Sequence, residues 1–354
     1  MKVLHYIDEN VLSWVRPWLQ VLDALRDLKV ENVIVCRSGG TLAEILKNSN
    51  FEVHEYKPLI STVSCLNFGF YKILKFIRPD LIHTRLSSAA GIGGYWGKKL
   101  KIPVLATVDK FPKKKYYMNA KKILACSTPV ADFMAGQGVS REKISVLYNA
   151  VDVNFYKKDF SVRSEIRKRE NLSEEDTCFL GAGRFVDWKG FDDLIRAFSL
   201  FLKSQDEPEK FYLWLAGDGP EREKLEALAE KLNLQGRVKF FGFVKDVRNL
   251  LWSSDVYIHP SWGDEAFGLS LLEAMSAGLP VIASESGGMT EILNNSQGLL
   301  FPRRDIEVLA EQMNVALQNQ KILSSAGLTR ARDFDVKIIA EKTLEIYEFE
   351  KKNK

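Results

Sequence analysis

The chain has 354 residues, 46% hydrophobic and 27% charged; at ~100–200 residues per domain this is two domains, each with its own core. Disorder, collagen and a small disulfide scaffold are excluded, as is a spanning helix, since no run approaches ~18 apolar residues. The net charge of +4 conceals an asymmetry: residues 1–156 carry 22 Lys and Arg against 13 Asp and Glu, a net +9, and the remainder carries −5. The first half therefore either meets something anionic or simply has an uneven surface.

The apolar run Val3 to Ile7 is too short for an export signal and is followed by Asp8 and Glu9. Further strands are expected at Val33–Cys36, Leu81–Thr84, Val104–Thr107, Ile123–Ala125 and Ile144–Leu147. Rich in Val, Ile and Leu and short of polar alternation, they read as strands of a parallel sheet buried on both faces. Helical patterns such as Val15–Leu28 and Ala89–Leu100 lie between them, which predicts a doubly wound α/β domain. Residues 151–176 are charged and read as a linker with one short helix, and as the hinge of a closing motion. Alternation then resumes with strands at Cys178–Ala182, Tyr212–Ala216, Val238–Phe241, Val256–His259 and Val281–Ala283, and helices at Phe191–Leu202, Glu221–Leu232, Val247–Ser253 and Gly268–Ala277. A charged helix with an apolar stripe closes the chain at Val336–Glu350. The four cysteines, at 36, 65, 126 and 178, have no C-x-x-C spacing and read as reduced thiols of a cytosolic protein.

Ligands of such folds bind beyond the carboxyl ends of the strands, so the loops that follow strands carry the chemistry. The first is Gly181-Ala182-Gly183-Arg184-Phe185-Val186-Asp187-Trp188-Lys189-Gly190, between a strand and a helix. Its glycines let backbone approach a ligand, and Arg184 with Lys189 suits a diphosphate; two solvated cations on a turn are the alternative. The second runs from His259 to Ala274, with Glu265 in the loop and Glu273 about two turns into the helix that begins near Gly268. A carboxylate beside free helix N–H groups accepts bonds from vicinal sugar hydroxyls. The third, Ser284 to Glu291, holds the pair Gly287-Gly288 and is either an anion nest or a structural turn.

The succession of Gly-Arg-x4-Lys-Gly, Ala216 to Pro220, Glu265-x7-Glu273 and Gly287-Gly288-x2-Glu291 resembles the C-terminal half of glycosyltransferase family 4, from about Leu180 to Pro302. Asn149-Ala150-Val151-Asp152 is similar to the family's Asn-Gly-Val-Asp. The resemblance implies the GT-B fold: two Rossmann-like domains facing a cleft, 1–156 completed by a C-terminal helix at 336–354, and 157–335. It implies a retaining transferase that moves a sugar from a nucleotide-diphosphate sugar, by default a UDP-sugar, to a glycan or glycolipid of the bacterial envelope such as lipopolysaccharide core. Carried over by residue, Arg184 and Lys189 hold the diphosphate, Glu273 the ribose and Glu265 the donor sugar, with Gly183 also at the donor. The backbone of Ala266, Phe267, Gly268 and Leu269 lies by sugar or phosphate, and Gly242, Phe243 and Val244 cover the base. No metal or other cofactor is expected, because two fixed cations can stabilise a diphosphate leaving group.

The chain departs from the family after its first strand, where a Gly-Gly loop is replaced by Asp8 to Trp14; Asn10 and Ser13 become candidate ligand contacts. Asp109 follows a strand and is either an orienting residue at the acceptor or a turn cap. Lys113, Lys114 and Lys115, with Lys110, Lys121 and Lys122, surround Phe111, Tyr116 and Tyr117. They fit an anionic inner membrane or phosphorylated glycolipid, or are a solvated loop. The expected setting is cytoplasmic and peripheral to the membrane, and no nucleic-acid motif is found. A nucleotide-sugar epimerase or hydrolase, and a non-catalytic binding protein, are the rival readings.

Overall fold

The computed structural model describes residues 1–8, 14–293 and 297–353. The chain divides into two units, residues 1–150 with 334–354, and residues 151–333. In the first unit seven strands form one sheet: β1 (Lys2–Ile7), β2 (Glu31–Arg37), β3 (Glu52–Tyr56), β4 (Leu81–Arg85), β5 (Val104–Val108), β6 (Lys122–Ala125) and β7 (Ile144–Val146). Their order is β3-β2-β1-β4-β5-β6-β7, and every pairing is parallel. In the second unit six strands do the same: β8 (Thr177–Ala182), β9 (Phe211–Ala216), β10 (Val238–Gly242), β11 (Val256–His259), β12 (Val281–Ser284) and β13 (Leu299–Phe301). Their order is β10-β9-β8-β11-β12-β13, again all parallel. Each sheet reverses its winding once, between β1 and β4 and between β8 and β11, and such switch points open the crevice where doubly wound sheets bind ligands. Each unit is thus a Rossmann-like doubly wound domain, as the GT-B expectation requires.

The central strands are buried along their length: Leu4, Val33, Ile82 and Leu105 in the first sheet and Phe179, Leu213, Ile258 and Ile282 in the second are fully inaccessible. Helices on both faces of each sheet exclude water, so period-two alternation is lost and continuous apolar runs remain. The two strands the sequence did not reveal, β3 and β13, are both sheet edges. Strand β3, Glu-Val-His-Glu-Tyr, is half-exposed over most of its length and needs no apolar run.

The segment read as a linker belongs to the second unit. Asp152 caps helix Val153–Tyr156 and Asp159 caps helix Phe160–Arg169. From the second helix Arg167, 1% exposed, donates to the carbonyls of Ser173, Asp176 and Ser253 and to Asp255. Arg163 reaches the other oxygen of Asp255 at 2.9 Å. The domain boundary therefore lies at 150/151 rather than 156/157, and residues 160–176 are anchored, not a free hinge.

The last helix, Val336–Lys352, packs against helix Val15–Asp27 in the first unit, burying Ile339, Ala340 and Tyr347. Lys121 donates to the carbonyls of Glu350 and Asn353 at its C-terminus, where a cation meets the negative end of the helix dipole. None of the four cysteines is in a disulfide. No helix among the described residues is long and apolar enough to cross a membrane.

Candidate active site

The loop after β8 is shaped by Phe185, fully buried, which leaves its neighbour Arg184 exposed. Among the described residues the Arg184 guanidinium has no hydrogen-bond or ion-pair partner. A 3-10 turn, Asp187–Lys189, follows, and Gly190 then opens helix Phe191–Lys203 at φ +67°. A Cβ there would stand 2.2 Å from the carbonyl oxygen of Pro260, so only glycine lets this loop meet the one after β11. The two loops are tied by the backbone N–H groups of Trp262 and Gly263, which donate to the Trp188 carbonyl at 3.0 and 3.1 Å.

That tie brings Lys189 onto Glu265. Glu265 Oε1 accepts from Lys189 Nζ, from Ser261 Oγ at 2.7 Å and from His259 Nε2 at 3.1 Å, while Oε2 accepts nothing from the described residues. Burial of this side chain opposes ionisation, but the bonds from His259 and Lys189 outweigh it and hold the carboxyl well below the usual carboxylate range. Burial in turn keeps His259 below its ordinary value, against the pull of Glu265. With Nε2 spent on Glu265 and the ring 3% exposed, His259 is a buttress and not a poised acid–base group. Glu273, in helix Leu269–Ser276, accepts from Tyr156 Oη at 2.8 Å. The Tyr257 phenol, bonded to the Ala182 carbonyl at 3.2 Å, is raised by burial and then by the fields of Glu273 and Glu265. Tyr257, on β11, thus feels the charge of both glutamates.

Gly287 and Gly288 serve the same loop as spacers. A Cβ on Gly287 would lie 2.0 Å from the Glu265 carbonyl oxygen, and one on Gly288 2.8 Å from Phe267 Cα. The Gly288 N–H donates to Glu265 O at 2.9 Å and the Met289 N–H to Ser286 O at 3.0 Å, so these donors are consumed internally. Two of the N–H groups that an anion nest would offer are therefore used within the turn. Gly268, at φ +115°, opens the helix that carries Glu273, with Phe267 buried and Ala266 and Leu269 half-buried beside it. Gly242 ends β10, where Val244 is half-buried and Phe243 is 80% exposed.

In the first unit Asp109 is neither a cap nor a free carboxylate. Arg85 forks onto it, Nε to Oδ2 at 2.6 Å and Nη2 to Oδ1 at 2.7 Å, and also donates to Asn149 at 2.5 Å. The guanidinium stacks over the Trp14 ring, 4.2 Å from its centroid. Next to it, His83 sits between Tyr347 and Thr107, and His5 Nε2 donates to Asn32 at 3.0 Å. Trp14, Trp18, His5, His83, Arg85 and Tyr347 line a narrow cavity here. Asn10 and Ser13 lie outside the described residues. Of the lysine cluster, Lys114 is bound to the Gln137 carbonyl, Lys121 to the C-terminal helix and Lys122 to Glu142 O; Lys110, Lys113 and Lys115 are exposed.

Burial lowers the His5 pKa from 6.5 to about 4, with Arg85 adding to the shift and Asn32 opposing it. Burial, His5 and Arg85 lower His83 as well. Between those values the unfolded chain takes up a proton that the folded chain refuses, so stability falls as pH falls across this window. The His5 term is roughly 3 kcal/mol by pH 4. Thermal unfolding followed from pH 7 to pH 4 is expected to show this loss, and His5→Asn to reduce it.

Ser261, His259, Tyr156 and Arg85 had no sequence signal of their own. Ser261 and His259 lie in the second loop, four and six residues from Glu265, but nothing local says that they bind it; Tyr156 and Arg85 have partners 117 and 24 residues away.

Residues 162–329 match the family described as Glycosyl transferases group 1, and residues 18–155 match that described as Glycosyltransferase Family 4. The chain is 28% identical over 306 residues to the lipopolysaccharide core biosynthesis glycosyltransferase LpsD of Rhizobium meliloti (strain 1021), covering 85% of this chain and 83% of that one. It is 26% identical to LpsE of the same organism, covering 88% and 87%. In fold it is similar to Anabaena Alr3699/HepE crystallised with UDP, at TM-score 0.85 and 22% identity over 98% of this chain and 100% of that one. A glycosyltransferase from Rickettsia africae ESF-5 gives TM-score 0.88 and 24% identity over 100% and 99%.

Proposed function

This chain belongs to glycosyltransferase family 4, and we propose that it transfers a sugar, with retention at the anomeric carbon, from a UDP-sugar to a hydroxyl of a phosphorylated envelope glycan or glycolipid, lipopolysaccharide core being the preferred acceptor. The observation that carries the donor half is the Lys189–Glu265–His259–Ser261 cluster with Arg184 on the same loop. A Lys ammonium has three N–H donors; one goes to Glu265, and two remain for diphosphate oxygens. Arg184 adds a planar fork. Glu265 Oε2 is the free acceptor for a sugar hydroxyl, and Glu273, positioned by Tyr156, takes the ribose. The acceptor half is supported by the names of the two Rhizobium relatives and by the basic first half; the choice of UDP is supported by the UDP-bound fold neighbour.

In this reading the bond between the anomeric carbon and the diphosphate oxygen breaks as charge grows on the diphosphate. The acceptor oxygen bonds to the same face, and its proton passes to the departing phosphate oxygen. Arg184 and Lys189 stabilise the growing charge, so no metal is assigned to the step, and no protein base is needed. Lys113 and Lys115 remain candidates for the acceptor's phosphates. Asp109 acts there only through Arg85, which it orients. The setting is cytoplasmic, in keeping with four cysteines outside any disulfide.

UDP in about 100-fold excess over its Kd is expected to raise the unfolding midpoint by about 5–10 °C, with GDP, ADP and CMP far behind and EDTA without effect. Loss of the shift in EDTA would overturn the metal-free reading, and no shift with UDP would overturn the donor site. Donor hydrolysis or rearrangement without an acceptor would favour the epimerase or hydrolase. Binding without turnover across acceptors would favour the binding protein.

A further inference from the structure

The first unit carries an apolar surface that the transfer reaction does not use. Phe76 is 75% exposed, Leu59 74% and Phe68 59%, and Ile60, Val63 and Leu66 are exposed beside them. On helix Phe68–Ile77 the exposed positions Phe68, Lys72, Lys75 and Phe76 fall on one face, at i, i+4, i+7 and i+8. The loop before it is built, not loose. Asn67, buried, accepts from Tyr56 Oη at 2.8 Å and from the Leu59 N–H at 3.0 Å, and donates to the carbonyls of Ile60 and Val63. Those bonds hold Leu59, Ile60 and Val63 outward in one shape. Helix Ser87–Leu100 supports it from below: Phe68 lies 5.2 Å from the buried Trp96 ring, Trp96 5.1 Å from Tyr95, and Lys99 sits over Tyr95.

Charge decides what covers it. From Lys57 to Val108 the sequence holds eight Lys and Arg and one acid, Asp80. That acid is already paired with Lys351 and accepts the Lys2 N–H. On β3 the exposed Glu52 is bound to His54, whose ring lies 6.0 Å from that of Phe76, and the exposed Glu55 accepts the Gly39 N–H. The helix face thus presents Lys72 and Lys75 between bare Phe side chains, and Lys57, Lys98 and Lys99 are exposed on the loop before it and on the helix it packs against. A second copy would bring this face against itself, apposing like charges. Apolar side chains that enter an acyl layer, ringed by lysines that meet anionic headgroups, match a bilayer.

We propose that the loop 57–66 and helix Phe68–Ile77 seat the enzyme on an anionic membrane surface. This goes beyond the transfer reaction and needs no assumption about the acceptor. It also moves the membrane contact away from Lys113, Lys114 and Lys115.

The test is sedimentation of the full chain with vesicles of phosphatidylglycerol in phosphatidylcholine, against phosphatidylcholine alone. Binding to the anionic vesicles is expected to be at least about tenfold stronger, and to weaken with salt. The double variant Leu59→Asp/Phe76→Asp is expected to lose about tenfold or more, as is Lys72→Glu/Lys75→Glu, which alters only exposed side chains and guards against a folding defect in the first. Lys113→Glu/Lys115→Glu is expected to bind as the parent does. No binding to anionic vesicles, or parental binding by both patch variants, overturns the proposal. So does a parent that dimerises while the patch variants stay monomeric, which would assign the face to a second copy. The UDP-induced thermal shift is read on every variant: its absence in the parent removes the donor reading and leaves the membrane result standing.

Discussion

Arg184→Ala is expected to lower kcat/KM by about 10²–10³-fold, the scale of losing one preorganised donor to a developing anion, with the unfolding midpoint almost unmoved. The second half of that expectation follows from exposure: among the described residues Arg184 has no ion pair to lose, and Phe185, not Arg184, anchors the loop. Lys189→Ala is expected to show a comparable kinetic loss accompanied by instability. Its ammonium sits on Glu265 Oε1, and removing it leaves a largely buried carboxylate with two of its three donors. That costs about 1–3 kcal/mol, and the Glu265 carboxyl rises toward the ordinary range. The folded carboxyl lies below its unfolded value of 4.5, so its stabilisation is present above that pH and fades as pH falls; Lys189→Ala should reduce the acid sensitivity. Steady-state kinetics with a UDP-sugar, beside thermal unfolding at pH 7 and pH 4, separates the two residues. Normal turnover by Arg184→Ala sinks the diphosphate assignment.

What the sequence disclosed, and what it withheld, divides along one physical line. Central strands such as Val104–Val108 are visible because burial on both faces demands an apolar run. The edge strand β3 is not, because it is half-exposed and holds no apolar run, and β13 is not, because it is only three residues long. Gly190 and the Gly287-Gly288 pair were legible as positions but not as reasons. Their purpose is the approach of Pro260, Glu265 and Phe267 backbone, and no local pattern encodes a neighbour from another loop. The same holds for Arg85 and Asp109, which are 24 residues apart. Each alone is an ordinary charge after a strand, and only adjacent β4 and β5 make them a fork. The exposed patch at 57–78 escaped for the opposite reason: nothing in the local pattern of Leu59, Phe68 and Phe76 says that these apolar residues stay outside the core.

The largest effect on stability is expected at Arg167, in the stretch whose composition suggested a linker. Eight charged residues from Arg163 to Glu175 look like a solvated run, and a solvated run tolerates substitution within about 0.5 kcal/mol. In the fold, one of them is the hub of the second unit's lower edge. Arg167 satisfies the carbonyls of Ser173, Asp176 and Ser253 and faces Asp255 Oδ2 at 3.2 Å. That oxygen also takes the Cys178 N–H at 2.8 Å, at the start of β8. Removing the guanidinium strips three carbonyl acceptors, that of Ser253 fully buried, and half-strands a carboxylate, a loss of about 3–5 kcal/mol for a broken buried pair. Arg167→Met is therefore expected to lower the midpoint of the second unit by about 6–20 °C at roughly 2–4 °C per kcal/mol. Arg167→Lys should recover less than half, because a point charge cannot replace five donors in a fixed plane. Asp255→Asn should cost less, since its amide oxygen still accepts from Cys178 while Arg163 keeps its bonds to Ser254 and Trp252 carbonyls. Differential scanning calorimetry of the full chain reads all three. A midpoint for Arg167→Met within about 1 °C of the parent would restore the linker, and with it a hinge at 151–176.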